Sequence, residues 1–272
     1  MPPLATALRI RDYTPALGAA IDDIDLGQPL DEETAGQLRR VLFERGVVFF
    51  RGQRITGPQF IAFGRHFGVL SGSNHGAELG EIRGPEPGAE NVGGRWHTDQ
   101  CFMEVPDIGA VLLARTVPDY GGDTMWAGLG AAFDALSEGL KQTLRPLRAI
   151  YRKVDYHKAA ARRLGAVDAD KANGSEVAHS LVGRVPETGR EILFADPKYT
   201  AGIVGWTEDE SNGLLQYLFE HVTKPEFTLR FRWEAGSLAL WDTRQTLHLA
   251  LNDYQGRERV MHRLSFQGPF LQ

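Results

Sequence analysis

Trp96-His97-Thr98-Asp99 is the stretch around which the chain is organised. On an extended strand, residues i and i+2 project to the same face, so the imidazole at 97 and the carboxylate at 99 can reach one point in space. That geometry suits a metal ion, and it calls for a third ligand.

His248 offers one, at the end of Leu240-Trp241-Asp242-Thr243-Arg244-Gln245-Thr246-Leu247-His248, just after an apolar strand-like run. Two histidines and one carboxylate that leave three positions open form the facial triad of non-haem Fe(II) oxygenases. Further on, Arg257-Glu258-Arg259-Val260-Met261-His262-Arg263 puts Arg259 and Arg263 on one strand face, about 13 Å apart, with His262 on the other. A guanidinium fork suits carboxylates and sulfonates, so this spacing can address two anions. The plain alternative for each arginine is a surface salt bridge.

Around these motifs the pattern is one of short strands and turns. Residues 71–94 are rich in glycine and polar residues with little periodicity, as expected of a functional loop. Gly93 and Gly94 let that loop fold close to the metal segment. Pro118 to Trp126 reads as a turn into a strand, followed by a helix over Gly130 to Leu144, and residues 151–178 read as an insertion or lid.

Upstream, residues 8–26 read as a short strand followed by a Gly-Ala stretch that turns into a solvated acidic loop. Asp31 caps a helix over Glu32 to Glu44 that Gly46 stops, Val47 to Phe50 is a buried strand, and Thr56 with Gln59 opens a helix ending near Gly68. Downstream, Arg184 to Phe194 suggests a hairpin. Thr207 with Glu210 caps a helix presenting Leu214, Leu215, Leu218 and Phe219 to the core. Phe227–Trp233, Ser237–Trp241 and Arg259–Phe266 read as strands. With no regular βαβ alternation, this favours an α+β domain on an antiparallel barrel, and no linker divides the 272 residues into two domains.

Composition bounds the function classes. Hydrophobic residues at 42% and charged residues at 24% are those of an ordinary globular protein, which argues against disorder. Thirty Lys and Arg against 35 Asp and Glu, with no basic run, lack the footprint of a nucleic-acid binder. The single cysteine, Cys101, agrees with a reducing compartment and reads as a small apolar residue near the site. No signal pattern opens the chain and no stretch reaches the roughly 18 apolar residues that span a membrane, so a cytoplasmic protein is expected.

The stretch from Asn91 to Trp126, containing WHTDQCFMEVPDIGAVLLARTVPDYGGDTMW, closely resembles the taurine dioxygenase and phenoxyacetate-herbicide dioxygenase family. So does the stretch from Lys224 to Arg263, with KPEFTLRFRW, LALWDTRQTLHLALNDY and RERVMHR. The resemblance implies a double-stranded β-helix, or jelly roll, with flanking helices, and Fe(II), 2-oxoglutarate and O2 as cofactor and co-substrates. It assigns His97, Asp99 and His248 to the iron, Thr124 and Arg259 to the distal carboxylate of 2-oxoglutarate, and Arg263 to an acidic group on the primary substrate. It also implies a dimer or tetramer.

Where this sequence departs from the taurine enzyme, taurine is disfavoured. The histidine that reads the sulfonate falls near Ser73, with Asn74 and His75 as substitutes after a shift; an asparagine before Trp96 is replaced by Gly93 or Gly94; Val154 and Asp155 replace a serine and an aromatic. Asp155 either faces a substrate amine or is an exposed carboxylate. The expectation is oxidation, most simply hydroxylation, of a small acidic compound such as a carboxylate, sulfonate, sulfate ester or aryloxyalkanoate. The competing classes are a non-catalytic jelly roll that binds a ligand and a zinc hydrolase, which has no need for the distal arginine.

Overall fold

Alternate residues of Val47-Val48-Phe49-Phe50 belong to different cores. Val47 and Phe49 pack with Trp126, Phe231 and Trp241, whereas Val48 and Phe50 pack with Leu38, Leu42, Leu240 and Phe266. A strand buried on both faces lies inside a covered sheet, which accounts for its unbroken apolar run.

The computed structural model describes residues 8–71, 79–84, 93–153 and 176–272. In chain order the strands are β1 (Arg9–Asp12), β2 (Ala19–Asp22), β3 (Val47–Phe50), β4 (Val69–Ser71), β5 (Gly80–Arg83), β6 (Gly109–Thr116), β7 (Thr124–Gly128), β8 (Arg148–Arg152), β9 (Glu176–Ser180), β10 (Val182–Arg184), β11 (Glu191–Leu193), β12 (Thr200–Ile203), β13 (Thr228–Phe231), β14 (Leu238–Asp242), β15 (Thr246–Ala250) and β16 (Val260–Gln267). The helices are α1 (Glu32–Arg45), α2 (Gly57–Gly64), α3 (Leu129–Asp134), α4 (Glu138–Leu144) and α5 (Glu208–Val222).

The major sheet runs β1-β2-β3-β14-β6-β16-β4, with β5 added on β16. It is antiparallel except where β2 lies parallel to β3. A second sheet, β13-β7-β15, covers its inner face through Trp126, Leu229 and Phe231, which meet Phe49, Ala239, Trp241 and Met261. The outer face is covered by α1 and α2 through Leu38, Leu42, Phe60 and Phe63. A third sheet, β12-β8-β9, and the hairpin β10–β11 share a separate core with α3 and α5. The chain is thus α+β, a jelly-roll core with flanking helices.

Local chemistry sets the helix ends. Asp31 accepts from Thr34 N at 2.7 Å, and Gly46, at φ 74°, closes α1 by donating to Leu42 O at 2.8 Å. Thr56 with Gln59 and Thr207 with Glu210 form reciprocal capping boxes that start α2 and α5.

Four expectations change. The acidic loop begins later than expected: Ala19 to Asp22 is β2, paired with β3, and Asp22, while partly exposed, is bound by Arg11 at 2.5 and 3.1 Å. Gly18 makes the approach, at φ 86°, where an added Cβ would stand 2.6 Å from Leu229. The helix expected over 130–144 is two, because Ser137 caps α4 by accepting from Leu140 N and so ends the preceding turn. Helix α2 stops at Gly64, with Phe67 N reaching back to Gly64 O in a tighter turn. Within 71–94, residues 80–83 are not irregular but pair with Val260–Arg263 as β5.

Candidate active site

His97 and His248 face each other across one isolated bridge, in which His97 N donates to His248 O at 3.0 Å and His248 N to His97 O at 2.7 Å. Directly opposed residues of an antiparallel pair put their side chains on the same face, and the two rings lie 4.1 Å apart. His248 is in β15, opposite Trp126 of β7.

Asp99 arrives differently from the strand geometry expected. After His97 the chain leaves the extended conformation and turns, with Gln100 at φ 57°. The carboxylate nevertheless returns to the histidines, Oδ1 at 3.7 Å from His97 Nε2 and Oδ2 at 3.8 Å from His248 Nε2. One donor atom from each of the three residues lies within 4.8 Å of the others, the single such group of His, Cys, Asp or Glu that includes two histidines among the described residues. An ion about 2 Å from each donor can span the 3.7 and 3.8 Å separations between Asp99 and the two histidines.

Protonation states suit a cation. The Nδ1 of His97 lies 2.7 Å from Arg95 O, so its N–H donates there and Nε2 keeps its lone pair for the site. Burial, reinforced by His97, pushes the His248 pKa down to about 3, which keeps its ring neutral. Burial opposes the charge on Asp99, but Arg263, His248 and His97 together hold its carboxyl well below the usual range. Arg263 Nη2 donates to Asp99 Oδ2 at 2.8 Å.

One cavity brings together His97, Asp99, His248, Thr124, Arg259 and Arg263, walled by Trp126, Trp241, Leu112 and Ile82. Thr124 lies in β7 opposite Ala250, two positions along from His248 on the same pair of strands. Its hydroxyl accepts from Trp233 Nε1 at 2.9 Å. Arg259 is only 5% exposed, donates through Nε to Gly122 O at 3.2 Å and lies beside the Tyr254 ring. His262 points away from this cavity, with Nδ1 accepting from Arg115 at 3.0 Å and Nε2 at 3.6 Å from Glu81. Gly93 passes so close to His97 that an added Cβ would meet Cε1 at 3.2 Å. Asn74, His75 and Asp155 lie outside the described residues.

Two supporting features frame the ligands. Asp242 is buried and accepts from Arg244 and Gln245, which fixes the turn between β14 and the His248 strand. Cys101 is fully buried and burial raises its thiol pKa, so it is a packing residue rather than a thiolate. Sequence reasoning missed Asp196-Pro197-Lys198-Tyr199, whose Tyr199 ring stands edge-on to His97 at 6.2 Å. The Asp-Pro step signals a turn there, but not that the turn lies beside the histidines.

A jelly roll that brings two imidazoles, a carboxylate and two arginines to one cavity defines a non-haem iron oxygenase type of site. Residues 9–265 match the family model described as taurine catabolism dioxygenase TauD, TfdA family, and the chain belongs to that family. It is 32% identical to an alkylsulfatase of Acinetobacter baylyi over 96% of this chain and 85% of that one. It is 33% identical to the alpha-ketoglutarate-dependent 2,4-dichlorophenoxyacetate dioxygenase of Cupriavidus pinatubonensis over 86% and 88%. A crystal structure of a taurine dioxygenase from Burkholderia xenovorans superposes with a TM-score of 0.84 at 33% identity, covering 98% of this chain and 93% of that chain. The protein is an oxidoreductase of the Fe(II)- and 2-oxoglutarate-dependent dioxygenases and uses Fe(II), 2-oxoglutarate (alpha-ketoglutarate) and O2. No described helix is long and apolar enough to cross a membrane.

Proposed function

We propose that His97, Asp99 and His248 hold the iron, that Arg259 and Thr124 bind the distal carboxylate of 2-oxoglutarate, and that Arg263 meets the anionic group of a small acidic primary substrate. The observation that carries this reading is the buried Arg259 guanidinium in the same cavity as the triad. A buried cation without an anionic ligand is costly, and a bidentate carboxylate offsets that cost.

When bound, iron and 2-oxoglutarate supply an oxidant from O2, with release of succinate and CO2. The chain's own residues do the rest. Arg95 O keeps the His97 proton on Nδ1. Arg263 keeps Asp99 ionised. Trp126, Trp241 and Leu112 wall the cavity with apolar surface, so that the charge on the buried Arg259 acts through a low dielectric. Position then decides which C–H bond reacts.

The relatives' names denote an alkyl sulfate, an aryloxyacetate and a sulfonate, each with one anionic head. Arg263, partly exposed at the cavity, is suited to such a head. Asn74, His75 and Asp155 remain candidates for substrate contact. We read residues 1–272 as one dioxygenase domain, with 71–94 and 151–178 as covers of the site. In support of the first, Ile82 of β5 and Gly93 line the cavity. A homo-oligomer in the cytoplasm, acting on neither nucleic acid nor membrane, completes the reading.

The test is an anaerobic titration of metal-free protein with Fe(II) and 2-oxoglutarate, followed by candidate acids. A weak visible charge-transfer band from the chelate is expected, and the acid that perturbs it is the leading substrate. Iron binding with no band would overturn the assignment.

A further inference from the structure

Thr98, between two candidate ligands, is held from across the fold. Its N–H donates to Asp196 Oδ2 at 2.6 Å, from a residue 98 positions away in sequence. Its hydroxyl donates to Thr243 O, in the turn that leads to β15. The other oxygen of Asp196, Oδ1, accepts from Lys198 N at 2.6 Å and Tyr199 N at 2.8 Å. The Cys101 thiol lies 3.6 Å from Oδ2. Asp196 is 1% exposed, so these donors replace the water an ionised carboxylate would otherwise need.

Asp99 depends on this arrangement because it lies beyond the last ladder bond. The His97–His248 bridge fixes His97 by two backbone bonds, whereas Asp99 sits in a turn that no strand pairs. Between them, Thr98 is held by Asp196 at its N–H and by Thr243 O at its hydroxyl. The same carboxylate orders the turn whose Tyr199 ring packs on His97 at 6.2 Å and on Phe102 at 4.9 Å.

We propose that Asp196 is a positioning residue of the iron site: through Thr98 it sets the separation of His97 and Asp99, and through Lys198 and Tyr199 it ties that separation to the turn beside His97. The proposal rests on His97, Asp99 and His248 being the iron ligands. Both oxygens are in use, so asparagine keeps one acceptor and alanine none.

The experiment compares wild type, Asp196→Ala, Asp196→Asn and a control, Ser211→Ala. The control removes another buried acceptor of a backbone N–H, that of Ile203 at 3.1 Å, away from the ligand turn. Fe(II) affinity of the metal-free proteins is measured anaerobically, then the position of the chelate band at saturating Fe(II) and 2-oxoglutarate, with thermal unfolding alongside. Losing a partner bound directly to a ligand weakens metal binding by about 10–100-fold; Asp196 acts one residue removed, so D196A is expected at the low end, about 10-fold, with a displaced chelate band. D196N should fall between D196A and wild type, and S211A should bind Fe(II) like wild type even where its melting temperature drops as far.

Wild-type Fe(II) affinity and an unmoved band in D196A would overturn the proposal, as would equal weakening in S211A. If D196A does not fold, D196N decides, with wild-type affinity and an unmoved band again overturning it. Wild-type protein that fails to bind Fe(II) refutes the ligand assignment instead.

Discussion

Arg263 donates to Asp99 at 2.8 Å, so the guanidinium proposed to read the substrate also neutralises the proposed iron carboxylate. A substrate anion must therefore share Arg263 with Asp99, which couples substrate binding to the metal through one side chain. Arg263→Ala should raise the KM for an acidic substrate about 10–100-fold, the value of a lost charged hydrogen bond, and weaken Fe(II) binding by a smaller factor. Steady-state kinetics and Fe(II) titration check the two effects. An unchanged KM would refute the substrate role.

Arg259 lines the same cavity, and the partners of its guanidinium, Gly122 O and the Tyr254 ring, are not candidate iron ligands. Arg259→Ala should raise the half-saturating 2-oxoglutarate concentration by about 100-fold while Fe(II) affinity stays near wild type. Arg259→Lys should recover little, because an ammonium cannot present the planar fork. Titration of the chelate band with 2-oxoglutarate distinguishes these outcomes.

Metal binding should stabilise the fold, because β15, the bridged segment at His97 and the turn after it meet at the triad. Free Fe(II) at 100 times its Kd stabilises the native state by about 2.7 kcal/mol, so the melting temperature should rise with Fe(II). Asp99→Ala should abolish that rise together with turnover. A melting temperature independent of Fe(II) in the wild type would count against the site.

Arg244 is fully buried and held by Asp242 Oδ2 at 2.7 Å, with Glu187 Oε2 at 2.9 Å and Pro269 O as further partners. Asp242→Ala leaves that guanidinium under-compensated and should cost about 3 kcal/mol in urea unfolding, near the lower end for a broken buried pair because Glu187 remains. Asp242→Asn, which keeps an acceptor, should cost less. A shift below about 0.5 kcal/mol for alanine would mean that the network contributes little.

Residues adjacent in sequence determined much of this protein by themselves. Asp31, Thr56 and Thr207 start their helices because a cap bonds the backbone three residues on, and Val47 to Phe50 forms a strand because its apolar run fits a sheet covered on both faces. Motif order likewise carried the family, and with it Fe(II) and 2-oxoglutarate. Tertiary structure decided what depends on distant partners: that Ala19 to Asp22 becomes a strand against β3, and that His97 pairs with His248 backbone to backbone. It also decided that Asp99 reaches the site from a turn anchored by Asp196 rather than along a strand. The physical reason is that a cap or an alternation is satisfied within a few residues, whereas a buried carboxylate takes whichever N–H groups the packed sheets bring to it.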